Sequence, residues 1–193
     1  MEDKLKNLER RKMLQEYSYT KTELEYKKSL IEESSKEFLD AAYKMAGKER
    51  VISEEANIEE NEKRNQKIKE DKIDPNEIDP FIREKTKKLY REISKRTHPD
   101  KDVEGLYTEI FMNASESYDE FRILDLYEYC ERLGIPYEIE DKDIEILKTE
   151  IEQNRVQITS FEKTFVYLWS IQTDEKMKNL LLRQFVKSII DKM

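Results

Sequence analysis

Residues 144–168 read IEILKTEIEQNRVQITSFEKTFVYL, and within them Ile144, Leu147, Ile151, Asn154, Ile158, Phe161, Phe165 and Leu168 fall alternately three and four apart. That spacing keeps one face of an α-helix apolar along the whole stretch, whereas a half-buried strand needs alternation by two. It is the strongest periodic signal in the chain. Asn154 places a polar side chain on the seam, a device that fixes register at some cost in stability.

Helical patterning continues on both sides. From residue 1 to about 55 there is no Pro and only one Gly, Gly47, and Tyr17, Leu24, Ile31, Phe38, Met45 and Ile52 recur seven apart. Thr20, Lys27 or Lys28, Ser34 and Ala41 occupy the companion positions, so this seam is half-filled and predicts a helix that packs along another element. The expected partner is the C-terminal helix, in an antiparallel coiled-coil-like stalk. Half-filled seams can also pair between chains, which leaves a homodimer open. Past residue 168, Thr173-Asp174 reads as a break and N-cap before a final helix with Met177, Leu181, Phe185 and Ile189 on one face, able to fold back onto the first. Residues 53–74 hold few apolar side chains and many Glu, Lys and Asn, so they form either a solvated helical rod or a linker. Pro75 and Pro80, each preceded by Asp, close that segment, and a new unit starts near Pro80.

Charged residues make up 41% of the 193-residue chain and the apolar set 37%, with 3 Gly and 4 Pro. This balance suits extended helices better than a large globular core. The 44 acidic and 36 basic residues give a net charge of -8, which disfavours nucleic acid unless the cations are segregated. One cysteine, Cys130, excludes an intramolecular disulfide and reads as a buried helix residue; with a single histidine, a Cys/His zinc site cannot assemble. The first residues lack the apolar core of a signal peptide and no stretch is long enough to span a bilayer, so the expectation is a cytoplasmic protein with no membrane segment.

Between these flanks, Ile82, Leu89, Tyr90 and Ile93 give a helical pattern from Phe81 to Arg96 that breaks at Thr97-His98-Pro99-Asp100, because Pro99 cannot continue a helix without losing a hydrogen bond. A second helix is expected from about Leu106 to Phe121 through Ile110, Phe111, Ala114 and Tyr118. Asp125 then reads as the cap of a shorter helix carrying Leu126, Tyr127 and Cys130, ended by Gly134, with Pro136 beyond.

His98 is the only histidine, and it opens a His-Pro-Asp tripeptide. The stretch Lys87-Lys88-Leu89-Tyr90-Arg91-Glu92-Ile93-Ser94-Lys95-Arg96-Thr97-His98-Pro99-Asp100-Lys101 resembles the second helix and loop of the J-domain (DnaJ-like) co-chaperone family, and Phe111, Ala114, Ser117, Tyr118 and Phe121 match packing positions of its third helix. The likeness covers residues 81–124. Two departures mark it as a short, divergent form: the usual first helix with its Tyr-Tyr and Leu-Gly pattern is not visible before Pro80, and Arg122-Ile123-Leu124-Asp125-Leu126 replaces the usual domain end. The segment from Asp125 to Ile135, followed by a coiled helix and a Trp-bearing C-terminus, is similar to compact J-domain proteins of large DNA viruses and some bacteria.

The resemblance implies a central helical hairpin that docks on a DnaK-type ATPase chaperone and stimulates its ATP hydrolysis through His98, Pro99, Asp100, Lys87, Lys88, Arg91, Lys95, Arg96 and Lys101. It makes Leu89, Tyr90, Ile93, Phe111, Ala114, Tyr118 and Phe121 the domain core. The charge pattern agrees with an acidic partner surface: Arg83 to Lys101 holds eight Lys or Arg against three Asp or Glu. Pro99 also restricts the backbone between two polar side chains, which lowers the entropy lost on docking.

The expected molecule is all-α and elongated, divided into an N-terminal amphipathic helix (1–55), a charged connector (56–80), a J-like domain (81–138) and a C-terminal coiled helix with a fold-back helix (139–193). The flanking helices would target the unit or bind a client protein. No cofactor or metal is expected and no enzyme activity, since no nucleophile stands at a recognisable spacing from His98 and Asp100. Two other readings remain. In a helical structural or assembly protein retaining a J-like unit, His98 is dispensable; a nucleic-acid binder loses affinity steeply with salt and with charge at Lys87 to Arg96.

Overall fold

The structure, a computed structural model, describes residues 2–47, 78–102 and 104–190. Most of the expected connector, up to residue 77, and the seam position Ile52 lie outside the described residues. Every regular element among those described is a helix: α1 (Glu2–Ala46), α2 (Pro80–Thr97), α3 (Thr108–Asp119), α4 (Ile123–Leu133), α5 (Asp141–Glu162), α6 (Phe165–Ser170) and α7 (Glu175–Ile190). None is long and apolar enough to cross a membrane.

The chain divides into two compact units, each assembled from separate stretches of sequence. In described residues, the first comprises 2–18 and 78–148, and the second 19–47 and 149–190. Helices α1 and α5 each contribute to both.

In the first unit α2, α3 and α4 pack against one another in all three pairings. Leu89 and Ile93 of α2, Ala114 of α3, and Ile123, Leu124, Leu126, Tyr127 and Cys130 of α4 form its interior with Leu14, Ile135, Ile139 and Leu147. A fully buried leucine such as Leu126 contributes about 1.5–3 kcal/mol by leaving water. Gly134 ends α4 at φ 63° and ψ 31°, the left-handed conformation expected there, while the Ile135 N–H donates to the Cys130 carbonyl at 2.8 Å. Asp125 is not the cap of this helix. Arg122 stands at that position, and Asp125 is buried in the first turn, accepting from the Tyr17 hydroxyl of α1 at 2.9 Å and pairing with Arg122 at 3.2 Å. Burial pushes the Cys130 thiol up to about 12, aided by the Glu92 carboxylate, so it is neutral and inert as a nucleophile.

Two carboxylates tie the outer parts of this unit together. Glu131 accepts from the Tyr137 hydroxyl at 2.6 Å and pairs with Arg11, and Glu140 accepts from Lys85 at 2.7 Å. These contacts hold both below the ordinary value of 4.5, for Glu131 chiefly through Tyr137 and then Arg11, for Glu140 through Lys85. A folded-state pKa below the unfolded one gives stability that is complete above about pH 4.5 and is lost as pH falls through the lower folded value. Urea midpoints should therefore hold between pH 7 and 5 and drop below pH 4. The drop should shrink in Glu131→Gln, and a pH-independent midpoint in the wild type would sink this account.

In the second unit α6 and α7 form an antiparallel pair: Phe165 meets Phe185 at 5.6 Å, and Trp169 lies under the Lys178 ammonium at 4.4 Å. Phe38 of α1 packs edge-on against Trp169 at 5.7 Å and Phe185 at 4.9 Å, so the last helix does return to the first. Its buried face is Leu182, Val186 and Ile189, flanked by half-buried Leu181 and Phe185, while Met177 is exposed. Asp174 caps α7 as expected, accepting from the Lys176 N–H at 2.9 Å.

Helices α1 and α5 run parallel in this unit, against the expectation of an antiparallel stalk. Thr20 bonds Asn154 at 3.4 Å and, seven residues on, Lys27 pairs with Glu162 at 3.2 Å. Within the first unit, Arg10 of α1 meets Asp141 at the start of α5 at 2.9 Å. Helix α7 also packs on α1, where Phe185 meets Phe38. Asn154 does occupy the seam as a buried polar position, with Thr20 as its mate.

Lys27 is the unexpected member of that seam, only 4% exposed. Burial lowers its pKa, but its hydrogen bonds to Glu23, the Tyr167 hydroxyl and Glu162 outweigh that and hold the ammonium above the ordinary lysine range.

Candidate functional site

The His-Pro-Asp turn is built by how α2 begins and ends. Asp79 caps it, accepting from the Phe81 N–H at 2.8 Å, and Pro80 occupies the first turn, where no donor is needed. Thr86, Leu89, Ile93 and Thr97, three or four apart, face the interior. The helix stops at His98, whose N–H makes the last helical bond to Ser94 while its own φ/ψ of −58°/133° is extended, as a residue before proline prefers. The chain then folds tightly: the His98 carbonyl accepts from Lys101 N–H at 2.8 Å and Asp102 N–H at 3.1 Å, and the Lys101 ammonium reaches back to the Lys95 carbonyl at 3.1 Å.

The His98 ring packs edge-on against Phe111 of α3, centroids 5.6 Å apart. Its Nδ1 lies 3.2 Å from the Asp100 N–H and 3.4 Å from the Asp100 carboxylate. The neutral ring accepts the first; a protonated ring donates to the second.

All nine positions assigned to chaperone docking, Lys87, Lys88, Arg91, Lys95, Arg96, His98, Pro99, Asp100 and Lys101, are exposed, but they do not share one face. Lys87, Arg91, Lys95, His98 and Lys101 line one shallow groove together with Tyr90, Ser94 and Tyr118. Tyr90 and Tyr118 stack across it at 4.6 Å and 14°. Lys88 lies on the other side of α2, in a cleft with Pro136, Tyr137 and Glu138. Arg96 is turned away as well, donating to the Leu133 carbonyl at 2.6 Å, which ties α2 to the end of α4. Besides Lys101, which is bonded to the Lys95 carbonyl, Lys95 itself is engaged: it pairs with Glu92 at 2.5 Å, which draws the Glu92 carboxyl below its ordinary range.

Of the residues assigned to the domain core, Leu89, Ile93 and Ala114 are buried, while Tyr90, Phe111, Tyr118 and Phe121 are half-buried. Phe121 is not helical. Helix α3 ends at Asp119, and Phe121 follows at φ 56° in a turn closed by Arg122 N–H to the Ser117 carbonyl at 2.8 Å. Sequence reading also passed over Asp102, whose carboxylate accepts from both Leu106 N–H at 2.9 Å and Tyr107 N–H at 2.6 Å. An Asp shortly before a helix start was the available signal.

No group of three or more His, Cys, Asp or Glu suited to a metal ion occurs among the described residues. The chain matches no family model, no curated protein and no solved structure.

Proposed function

We propose that this chain is a co-chaperone of the J-domain type, which docks on a DnaK-type ATPase and stimulates its ATP hydrolysis. One observation carries the reading: three cations of α2, the His98 ring and Lys101 converge on a single groove floored by stacked tyrosines, with Pro99 and Asp100 exposed at its end. A cationic groove attracts an acidic surface and raises the association rate, and a short turn between two packed helices presents its polar groups at low entropic cost. The hairpin of α2 and α3 is closed by α4, which packs on both. The following helix thereby fills the place that the resemblance gives to a preceding one, and the hairpin keeps a third wall. Five of the nine residues make the primary contact; Lys88 and Arg96 act from the opposite side of α2, Arg96 as a structural tie. The long helices would then address the unit to a client.

The test is single-turnover ATP hydrolysis by a DnaK-type chaperone with the wild type or His98→Gln added, at two salt concentrations. Stimulation of at least about tenfold by the wild type, lost in the variant and weaker at high salt, is the expected result. A wild type that stimulates no DnaK-type partner, or a variant that stimulates equally, would move the assembly reading to first place.

A further inference from the structure

We infer that Asp102 is the positioning residue of the His-Pro-Asp turn, a clasp that locks the turn to the start of α3. The inference rests on the co-chaperone reading for its consequence, though not for its geometry. Tyr107, at the N-cap position of α3, makes no side-chain cap of its own. A helix start leaves backbone donors without partners. Asp102 supplies acceptors just ahead of the helix, one carboxylate oxygen for Leu106 N–H at 2.9 Å and the other for Tyr107 N–H at 2.6 Å. The same residue faces the other way through its backbone: its N–H donates to the His98 carbonyl at 3.1 Å and its carbonyl accepts from Gly105 N–H at 3.0 Å.

Asp102 therefore bonds both to the residue that opens the tripeptide and to the segment that leads into α3. Gly105, at φ 69°, lets the chain double back between these anchors. Helix α3 in turn carries Phe111, against which the His98 ring rests, and Phe111 N–H bonds the Tyr107 carbonyl at 2.9 Å. The circuit from His98 through Asp102 and Tyr107 to Phe111 and back to the His98 ring is closed. The Asp102 carboxylate joins the turn to the start of the helix by two hydrogen bonds, and the acceptor is charged, which makes each bond stronger than a neutral one. Removing it leaves the tripeptide intact but frees its orientation, so docking weakens while the stimulated rate at saturation is kept.

The experiment uses the full chain as wild type, Asp102→Ala and Asp102→Asn, with amide exchange and the His98 ring resonances read by NMR beside single-turnover ATP hydrolysis. In Asp102→Ala the Leu106 and Tyr107 amides should exchange about tenfold faster, the factor expected for loss of one bond to a charged acceptor, while buried amides of α4 stay protected. The His98 ring signals should lose the shift imposed by Phe111. The concentration for half-maximal stimulation should rise about five- to tenfold at an unchanged plateau. Asp102→Asn keeps one acceptor oxygen and should fall between. Unchanged exchange and unchanged His98 signals in Asp102→Ala overturn the clasp, whether or not the protein stimulates any ATPase. Faster exchange with an unchanged half-maximal concentration overturns its positioning role. If the wild type stimulates no ATPase, the co-chaperone reading fails alone, and the exchange data still decide the clasp.

Discussion

Replacing Phe38 by alanine should destabilise the second unit by about 3–5 kcal/mol, the range for deleting a fully buried aromatic side chain whose neighbours cannot collapse into the space. Phe38 is completely buried, and its ring is held edge-on by both Trp169 and Phe185. Those contacts add to the area term because the positive ring edge meets the negative face. Leu182, Val186 and Ala42 close the remaining sides. Trp169 is the only tryptophan in the chain, so its fluorescence reports this unit selectively. Urea unfolding followed at Trp169 should show the midpoint fall sharply in Phe38→Ala and much less in Phe38→Leu. A loss below about 1 kcal/mol in the alanine variant would mean that the cluster around Trp169 is not the core of this unit.

The second large effect is expected at Lys85. Asp143 is fully buried; its Oδ2 accepts from the Lys85 ammonium at 2.6 Å and from the Glu140 N–H at 2.7 Å, and its other oxygen has no hydrogen-bond partner among the described residues. Lys85→Met removes the cation paired with that carboxylate, at an expected cost of about 3–5 kcal/mol. The reason is the uncompensated buried charge rather than the worth of the pair itself. The double variant Lys85→Met with Asp143→Leu should therefore recover most of the loss, because replacing both partners removes the desolvation penalty together with the attraction. Exchange protection of the buried α4 amides, which report the first unit, distinguishes the two. If the double variant is as unstable as the single one, the loss lies in the Asp143 bond to the Glu140 N–H and in packing rather than in the buried charge.

How far these features were legible in the sequence depended on how far apart their partners lie. Features set by a few neighbouring residues could be read directly. Asp174 caps α7, Gly134 ends α4 in the left-handed conformation, His98 leaves α2 because Pro99 follows, and Cys130 is buried on a helix. The three-four spacing through Asn154 marked a buried polar position, but it ran on to Leu168 across a break: α5 ends at Glu162, and Thr164 caps α6 by accepting from the Tyr167 N–H at 3.3 Å. Features set by distant partners could not be read. Nothing near Lys27 announces that Glu162 and the Tyr167 hydroxyl will meet it, so a buried ammonium looked like a gap in a weak seam. Asp125 has the composition of a cap, and only the Tyr17 hydroxyl, 108 residues away, reveals it as an interior acceptor.

The candidate site shows the same division. All nine residues singled out are exposed, but periodicity alone did not separate Lys87, Arg91 and Lys95 from Arg96, whose direction is fixed by the Leu133 carbonyl 37 residues on. The stacking of Tyr90 on Tyr118 turned two expected core residues into the floor of the groove for the same reason.

The division of α1 between the two units bears on the order in which they can form during synthesis. The first unit takes residues 2–18 together with 78–148, so every part of it exists once residue 148 has left the ribosome. The second needs residues 19–47 to wait for α6 and α7 at the far end of the chain, since Phe38 finds Trp169 and Phe185 only then. At about 5–20 residues per second the remaining stretch of roughly 40 residues takes about 2–8 s, long compared with helix formation and hydrophobic collapse. During that interval Phe38, Ala42 and their neighbours on α1 have no covering partner, and the nascent chain carries an apolar helical face of the kind that holding chaperones bind.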